Sequence, residues 1–290
     1  MKNLTLLFLL FSVAITAQTR AIYEYKFKKD STQLDSLKTE WMYLDIDKDG
    51  SKYYSKKAFD NDSIIAEMVR KQVASGSRNI SISRSYSSDD VQYEVQKTYP
   101  DFKTYLITSI ENDSYKVLED RPLEWKISPE KSKIGAFEAQ KAEANFAGRL
   151  WTVWFTTEVP FQDGPYKFHG LPGLIVKAED KTGTHIMELK AIKNNAAHTS
   201  NEVELPDGKQ IPMLKKKPIE VSRSQYVKKL EQYRNDPVQG MREVLNTPNS
   251  RIVINVNGQE FTDPKDVLRQ MEKSAREEMK SNNNHIELKN

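Results

Sequence analysis

The chain has 290 residues, with 44 Lys and Arg against 41 Asp and Glu, a formal net charge of only +3, and no Cys. So even a balance gives no electrostatic reason to bind nucleic acid or an anionic membrane. Without Cys, neither disulfides nor a thiolate metal site can hold the fold, so one large domain, or one domain with an appendage, must rest on its core.

Residues 1–17 read as a secretory signal. Lys2 is the positive region, Leu4 to Val13 the apolar core, and Ile15-Thr16-Ala17 the cleavage site before Gln18. The apolar run of about ten residues is short of the ~20 that a membrane-spanning helix needs. The expectation is an exported protein, periplasmic or extracellular, that does not span a membrane after cleavage.

Arg20 to Lys29 alternates, with Tyr23, Tyr25 and Phe27 on one face of a strand. Glu40 to Asp47 and Lys52 to Phe59 form a predicted hairpin around Asp47-Lys48-Asp49-Gly50. Asp45-Ile46-Asp47-Lys48-Asp49-Gly50 copies the first half of an EF-hand loop, but Lys56 stands where a bidentate Glu is needed, so a plain turn is expected. Asp62 caps a predicted helix to about Val73, with Ile64, Ile65, Met68 and Val69 inward. The serine-rich stretch from Ser75 to Asp90 is too polar to pack. Strands are predicted again at Val91–Tyr99, Phe102–Ser109, Ser114–Glu119, Leu123–Ile127, Ile134–Gly148 and Leu150–Val159. In the last two, Ala142, Ala144 and Phe146 share a face, as do Trp151, Val153 and Phe155, while Trp154 takes the opposite face from Trp151.

The segment Gly164-Pro165-Tyr166-Lys167-Phe168-His169-Gly170-Leu171-Pro172-Gly173-Leu174-Ile175-Val176 follows. Pro172 and Gly173 occupy the two central positions of a predicted type II turn. The apolar run after it opens a final hairpin, Leu174–Ala178 and His185–Ile192, around Asp180-Lys181-Thr182-Gly183. Beyond Lys193 the composition shifts. Asn194 to Pro218 reads as a polar arm, and its Lys215-Lys216-Lys217 as a solvated loop. Ser222 with Gln225 makes a capping box, with Tyr226, Val227, Leu230 and Tyr233 on one helical face. Asp236-Pro237 starts a second helix, with Val238, Met241, Val244 and Leu245 inward. Arg251–Val256 is a strand, and Asp263-Pro264 opens a third helix carrying Val267, Met271, Ala275 and Met279. The tail at Asn282-Asn283-Asn284 is expected to fray.

The organisation predicted is therefore a signal over 1–17, a β domain over 18–193, and an arm with a mostly helical region over 194–290. The fold class is mainly β (α+β): a large curved antiparallel sheet or half-barrel with a small C-terminal helical appendage. In architecture alone it is similar to periplasmic lipoprotein carriers, a likeness that does not carry function.

The hexapeptide Gly170 to Ile175, with Gly164-Pro165 and Phe168 before it, resembles the GLPGLI family of exported Bacteroidetes proteins. Ala142, Gly148-Arg149, Trp151, Trp154 and Pro160 lead into it in the family's manner, and Ser51 to Tyr54 and Ile286-Glu287-Leu288 also fit. The lysine-rich arm departs from the pattern. The resemblance implies export and supplies neither an activity nor a catalytic residue. It marks His169, Gly170, Leu171, Pro172, Gly173, Leu174 and Ile175, with Trp151 and Trp154, as motif or ligand-binding candidates.

Chemistry is sparse. There is no Gly-x-Ser-x-Gly elbow and no His-Glu-x-x-His pair. Of the four histidines, His198 and His285 sit in polar stretches. His169 is the candidate base for an envelope hydrolase, and His185 with Met187, alternating on one strand, could supply half of a soft copper(I) site. No catalytic residue, metal or cofactor is assigned. The aromatic side chains of Tyr23, Tyr25, Trp41, Tyr43, Tyr53 and Tyr54 either fill the sheet interior or line a groove. The function expected is a non-enzymatic binding or accessory protein for an apolar ligand, a peptide or an outer-membrane partner.

Overall fold

The computed structural model describes residues 18–33, 35–75, 90–111, 113–194, 217–247, 252–256 and 259–288. The expected signal, most of the serine-rich stretch and most of the polar arm, with His198, lie outside the described residues.

The sheet is built around β1 (Thr19–Lys28), whose residues alternate between buried and half-buried along its length. On one side β1 pairs with β2 (Leu37–Ile46), and the sheet continues through β3 (Gly50–Ser55), β4 (Glu94–Thr98), β5 (Thr104–Ile110) and β6 (Asp113–Leu118). On the other side it pairs with β11 (His185–Lys193), then β10 (Leu174–Asp180), β9 (Arg149–Thr156), β8 (Phe137–Phe146) and β7 (Lys126–Ile134). All these pairs are antiparallel. A short strand, β12 (Ile219–Val221), adds parallel to β6 at the far edge. The result is one 12-stranded sheet whose end strands, β12 and β7, do not meet.

The sheet is strongly curved. Phe168, in the connection between β9 and β10, packs against Trp151 on β9 with ring centroids 4.8 Å apart, and its carbonyl accepts a 3.2 Å hydrogen bond from Lys97 on β4. β4 and β9 are six strand spacings apart, about 29 Å in a flat sheet. One residue can touch both only if the sheet wraps around it. The predicted mainly-β, open curved sheet is what forms.

The core lies inside this curve. Tyr23, Tyr25, Met42, Leu44, Tyr53, Val95, Trp151, Val153 and Phe155 project into it from the strands. The chain supplies its own filling, because the connection between β9 and β10 contributes Tyr166, Phe168 and Leu171, all at most 2% exposed. Of the aromatic residues expected to fill or line the interior, Tyr23, Tyr25 and Tyr53 fill it. Tyr43 and Tyr54 form an edge-on pair with each other and with Phe59 of α1 (Lys56–Ala74), on the other face of the sheet, and Trp41 is 44% exposed.

Several expected elements differ. α1 begins at Lys56, not Asp62, because Ser55 caps it by accepting from the Ala58 N–H at 3.1 Å; Lys56 to Phe59 are thus helical and not strand. Its buried residues are Ile65, Ala66 and Val69, whereas Ile64 and Met68 face outward. Trp125 lies in the crossing from β6 to β7, not on a strand, and β7 runs from Lys126 through a nearly fully exposed stretch containing Pro129. An exposed edge strand lacks the apolar alternation that reveals buried ones. Ile134 closes β7, and the turn into β8 carries Gly135 at φ +59°. The Ala142/Val153 and Ala144/Trp151 cross-strand pairs form as expected. The Asp47 turn also forms: Asp47 Oδ1 accepts from the Asp49 and Gly50 N–H groups, while Asp45 is bound to Arg20 and Tyr54.

At the C-terminal end, α2 (Arg223–Asn235) carries the predicted capping box and packs Tyr226, Leu230 and Tyr233 on Ile110, Tyr115 and Val117. α3 (Gln239–Leu245) follows, with Val238 buried and Val244 exposed. A small hairpin pairs β13 (Ile254–Val256) with β14 (Gln259–Phe261), and α4 (Pro264–Ser281) is capped by Asp263. The tail does not fray. Asn284 donates its backbone N–H to Lys29 O and its Nδ2 to Lys28 O, and Leu288 N–H bonds to Ala147 O. No helix among the described residues is long and apolar enough to cross a membrane.

Candidate functional site

The thirteen-residue motif is a plug held by two polar clusters, and a third beside it holds the C-terminal tail. In the first, Asp163 takes Lys97 Nζ and Tyr99 OH through its carboxylate, and its Oδ1 also accepts the Gly164 N–H at 2.6 Å. Lys97 Nζ donates as well to Gly164 O at 2.7 Å. The side chains of Lys97 and Asp163 are both fully buried. A charge in such a place persists only when paired and hydrogen-bonded, and the partners of Lys97 Nζ are Asp163, Gly164 O and Phe168 O.

The second cluster closes one end of the curve. Lys167 binds Glu119 at 2.6 Å and also Glu287, to which the Tyr166 hydroxyl donates. Arg121 makes a two-pronged contact with Glu119, 2.7 Å on each prong, and reaches Glu287. Arg121 and Lys167 hold the Glu119 carboxyl down at about 2 despite burial, which alone would raise it.

In the third cluster, Arg149 opens β9 and gathers the C-terminal tail. It binds Asp180 at 2.9 Å, Asn284 Oδ1 at 2.6 Å, and the carbonyls of His285 and Ile286. Arg149→Met is expected to cost ~3–5 kcal/mol, since Asp180 is left as a buried unpaired charge. Amide exchange should then lose protection at 284–288 before the sheet does, and unchanged protection there would refute the tail-anchoring role.

The hexapeptide does not form a type II turn. Gly173 N–H bonds to Leu171 O at 2.7 Å, closing a tighter three-residue turn around Pro172, and Leu174 N–H goes instead to Val159 O. Gly173 has φ +152°, and a Cβ there would stand 2.6 Å from the Thr156 carbonyl carbon and closer still to its oxygen. The glycine is needed because the backbone of β9's end lies directly against it. Leu171, Leu174 and Ile175 are buried, Gly170 and Pro172 are exposed, and Ile175 O accepts from Tyr23 OH at 2.7 Å. Trp151 packs on Phe168 inside the curve, whereas Trp154 is half-buried at the margin of the core and, among the described residues, takes no part in the plug's polar contacts.

His169 stands at the mouth of the plug, stacked face to face on Phe102 at 4.9 Å, in a cleft of about 330 Å³ also lined by Lys103, Thr104, Glu119 and Arg121. Among the described residues, neither ring nitrogen has a hydrogen-bond partner. Burial, reinforced by Lys97, pushes its pKa down to about 4, so the imidazole is neutral at pH 7. His185 is also held neutral, chiefly by burial and then by Arg149. Its Nδ1 meets Tyr25 OH at 2.7 Å and its Nε2 meets Asn284 O at 3.1 Å, so both nitrogens are engaged inside the protein. Met187 lies two residues on, fully buried.

Both histidines protonate more readily in the unfolded chain, near pH 6.5, than in the folded one. Their contribution to stability is present above pH 6.5 and is lost as pH falls from there toward 4. The thermal midpoint should fall across that window, and His185→Gln should flatten the slope; a midpoint constant from pH 7 to 4.5 would contradict this.

Lys97, Asp163, Glu119, Arg121, Lys167, Arg149 and Glu287 were not singled out for chemistry in the sequence. Two signals were there to be read. Lys97 falls at an interior position of β4's alternation, in step with Val95, and Arg149 and Glu287 belong to the short stretches that matched the family pattern outside the hexapeptide.

Comparison with known proteins adds kinship without chemistry. The model of a family described as protein of unknown function (Porph_ging), found in Bacteroidetes, matches residues 147–177, the stretch from the end of β8 through the plug into β10. No curated protein matches the chain. Two solved structures of PNGF-II, in the P21 and C2 space groups, are similar at 13% identity and TM-score 0.47, over 82% and 83% of this chain. The chain spans only about a third of that protein, 35% and 34%.

Proposed function

We propose that the protein is an exported, non-enzymatic member of the GLPGLI family that serves the cell envelope by binding a peptide or an outer-membrane partner. The observation that carries this reading is the plug. The concave face is filled by the chain's own motif, and the charged groups at that motif are paired with charges from the strands and the C-terminal tail. An apolar ligand would find the interior occupied, which moves binding to outer surfaces. The hexapeptide and the family match over 147–177 support the kinship, and the short apolar run before Gln18 supports export. Expression in a Gram-negative host tests export: the mature protein should appear in the osmotic-shock fraction with Gln18 as its first residue. Retention in the cytoplasm with residues 1–17 intact would overturn it. Binding is tested by thermal-shift screening against envelope peptides and lipids. A flat screen, together with turnover of any ester, amide or glycoside, would overturn the non-enzymatic reading.

A second reading is an envelope hydrolase using His169, favoured by one observation: a neutral imidazole with unbonded nitrogens on a cleft. His169→Ala removes one ring stack, worth ~0.5–1.5 kcal/mol. If the second reading holds, that variant loses all turnover while its melting temperature drops by only a few degrees. Turnover equal to wild type would end it.

A further inference from the structure

We infer that the groove between β12 and α2 captures an extended acidic peptide as an added strand. β12 is the last strand of the sheet. It pairs with β6 on one side only, and no described strand pairs with the other. An open edge of this kind presents backbone N–H and C=O groups ready for another strand. Beside it lies a groove of about 410 Å³ whose floor is Tyr115, Ile219 and Val221 and whose wall is α2. Ile219 is 50% exposed although it sits on the face continuous with the buried Tyr115 and Val117.

The wall supplies the charge. Gln225, Lys228, Lys229 and Gln232 of α2 line the groove, and among the described residues neither lysine has a carboxylate partner. α2 as a whole has four basic residues, Arg223, Lys228, Lys229 and Arg234, against the single acidic Glu231, and among the described residues only Arg223 of these has an ion pair, to Asp120. The one acidic residue lining the groove, Asp113, lies at the start of β6. The apolar floor and the two unpaired ammonium groups line the same groove, and side chains of an added strand alternate between faces, so they fit a strand whose groove-facing residues are glutamates, with methylenes over the floor and carboxylates at the lysines, and whose opposite face, beside Glu220, is neutral. Main-chain bonds would give the affinity, and the lysines would select the acidic sequence.

This deepens the binding reading by naming the partner's chemistry, and it can fail while export stands, since the two are measured separately. The test is fluorescence anisotropy with a labelled peptide of alternating Glu and Val, its Lys/Val counterpart, and a Glu/Val version N-methylated at alternate residues. The Glu/Val peptide should bind at least tenfold more tightly than the other two and weaken with added salt. A Lys228→Glu, Lys229→Glu variant, folded by circular dichroism because both positions are solvent-facing, should reverse the charge preference. Equal binding of the N-methylated peptide, no preference for the acidic peptide, or no binding at millimolar peptide would each overturn the inference. Peptide-free dimerisation that the same double substitution abolishes would assign the groove to a second copy instead, and would also overturn it.

Discussion

Gly173→Ala is expected to lower unfolding free energy by about 3 kcal/mol or more, from forced overpacking together with backbone strain. In a domain of this size that is a fall of roughly 6–12 °C in the melting temperature. The cause is contact: a Cβ at 173 has nowhere to go because the Thr156 carbonyl already fills the space. Gly170→Ala is the matched control. Gly170 also has positive φ, at +85°, but nothing lies within 4 Å of a Cβ there. Its substitution should cost only the conformational strain, about 1 kcal/mol. Equal losses at the two positions would show that crowding against β9 is not what fixes glycine at 173.

The second large effect belongs to the buried pair beneath the plug. Asp163→Asn should destabilise by ~3–5 kcal/mol, because Lys97 stays buried with neutral acceptors only. Lys97→Met should cost a similar amount, leaving the Asp163 carboxylate with Tyr99 OH and the Gly164 N–H. The combined Lys97→Met, Asp163→Asn variant should be well above the sum of the two losses in stability, since no uncompensated charge remains. Strict additivity in urea melts would mean that the two groups do not depend on each other.

Both effects arise from contacts between residues far apart in the chain. Alternation along β1, the Ala144/Trp151 pairing, the capping box at Ser222 and the Asp263-Pro264 helix start were legible because each rests on contacts a few residues apart or on a period of two. The hexapeptide was recognisable as a fixed turn, but its geometry was not. The type II form assumes a bond within the four residues, whereas Leu174 N–H finds its partner at Val159 and the space at Gly173 is set by Thr156. The fraying expected of Asn282-Asn283-Asn284 failed for the same reason: the partners that hold those residues, Lys28, Lys29 and Arg149, lie more than a hundred residues away.

What the sequence determined by itself was local and periodic: strands, caps, the export signal as an expectation, and a rigid turn at 172 and 173. The tertiary structure alone decided that the curve of the sheet is occupied and by what. Lys97 and Asp163 read separately as one charged residue in a strand and one before a glycine. Only when the sheet wraps β4 toward the β9–β10 connection do they meet, and a buried charge is defined by a partner that chain order does not name.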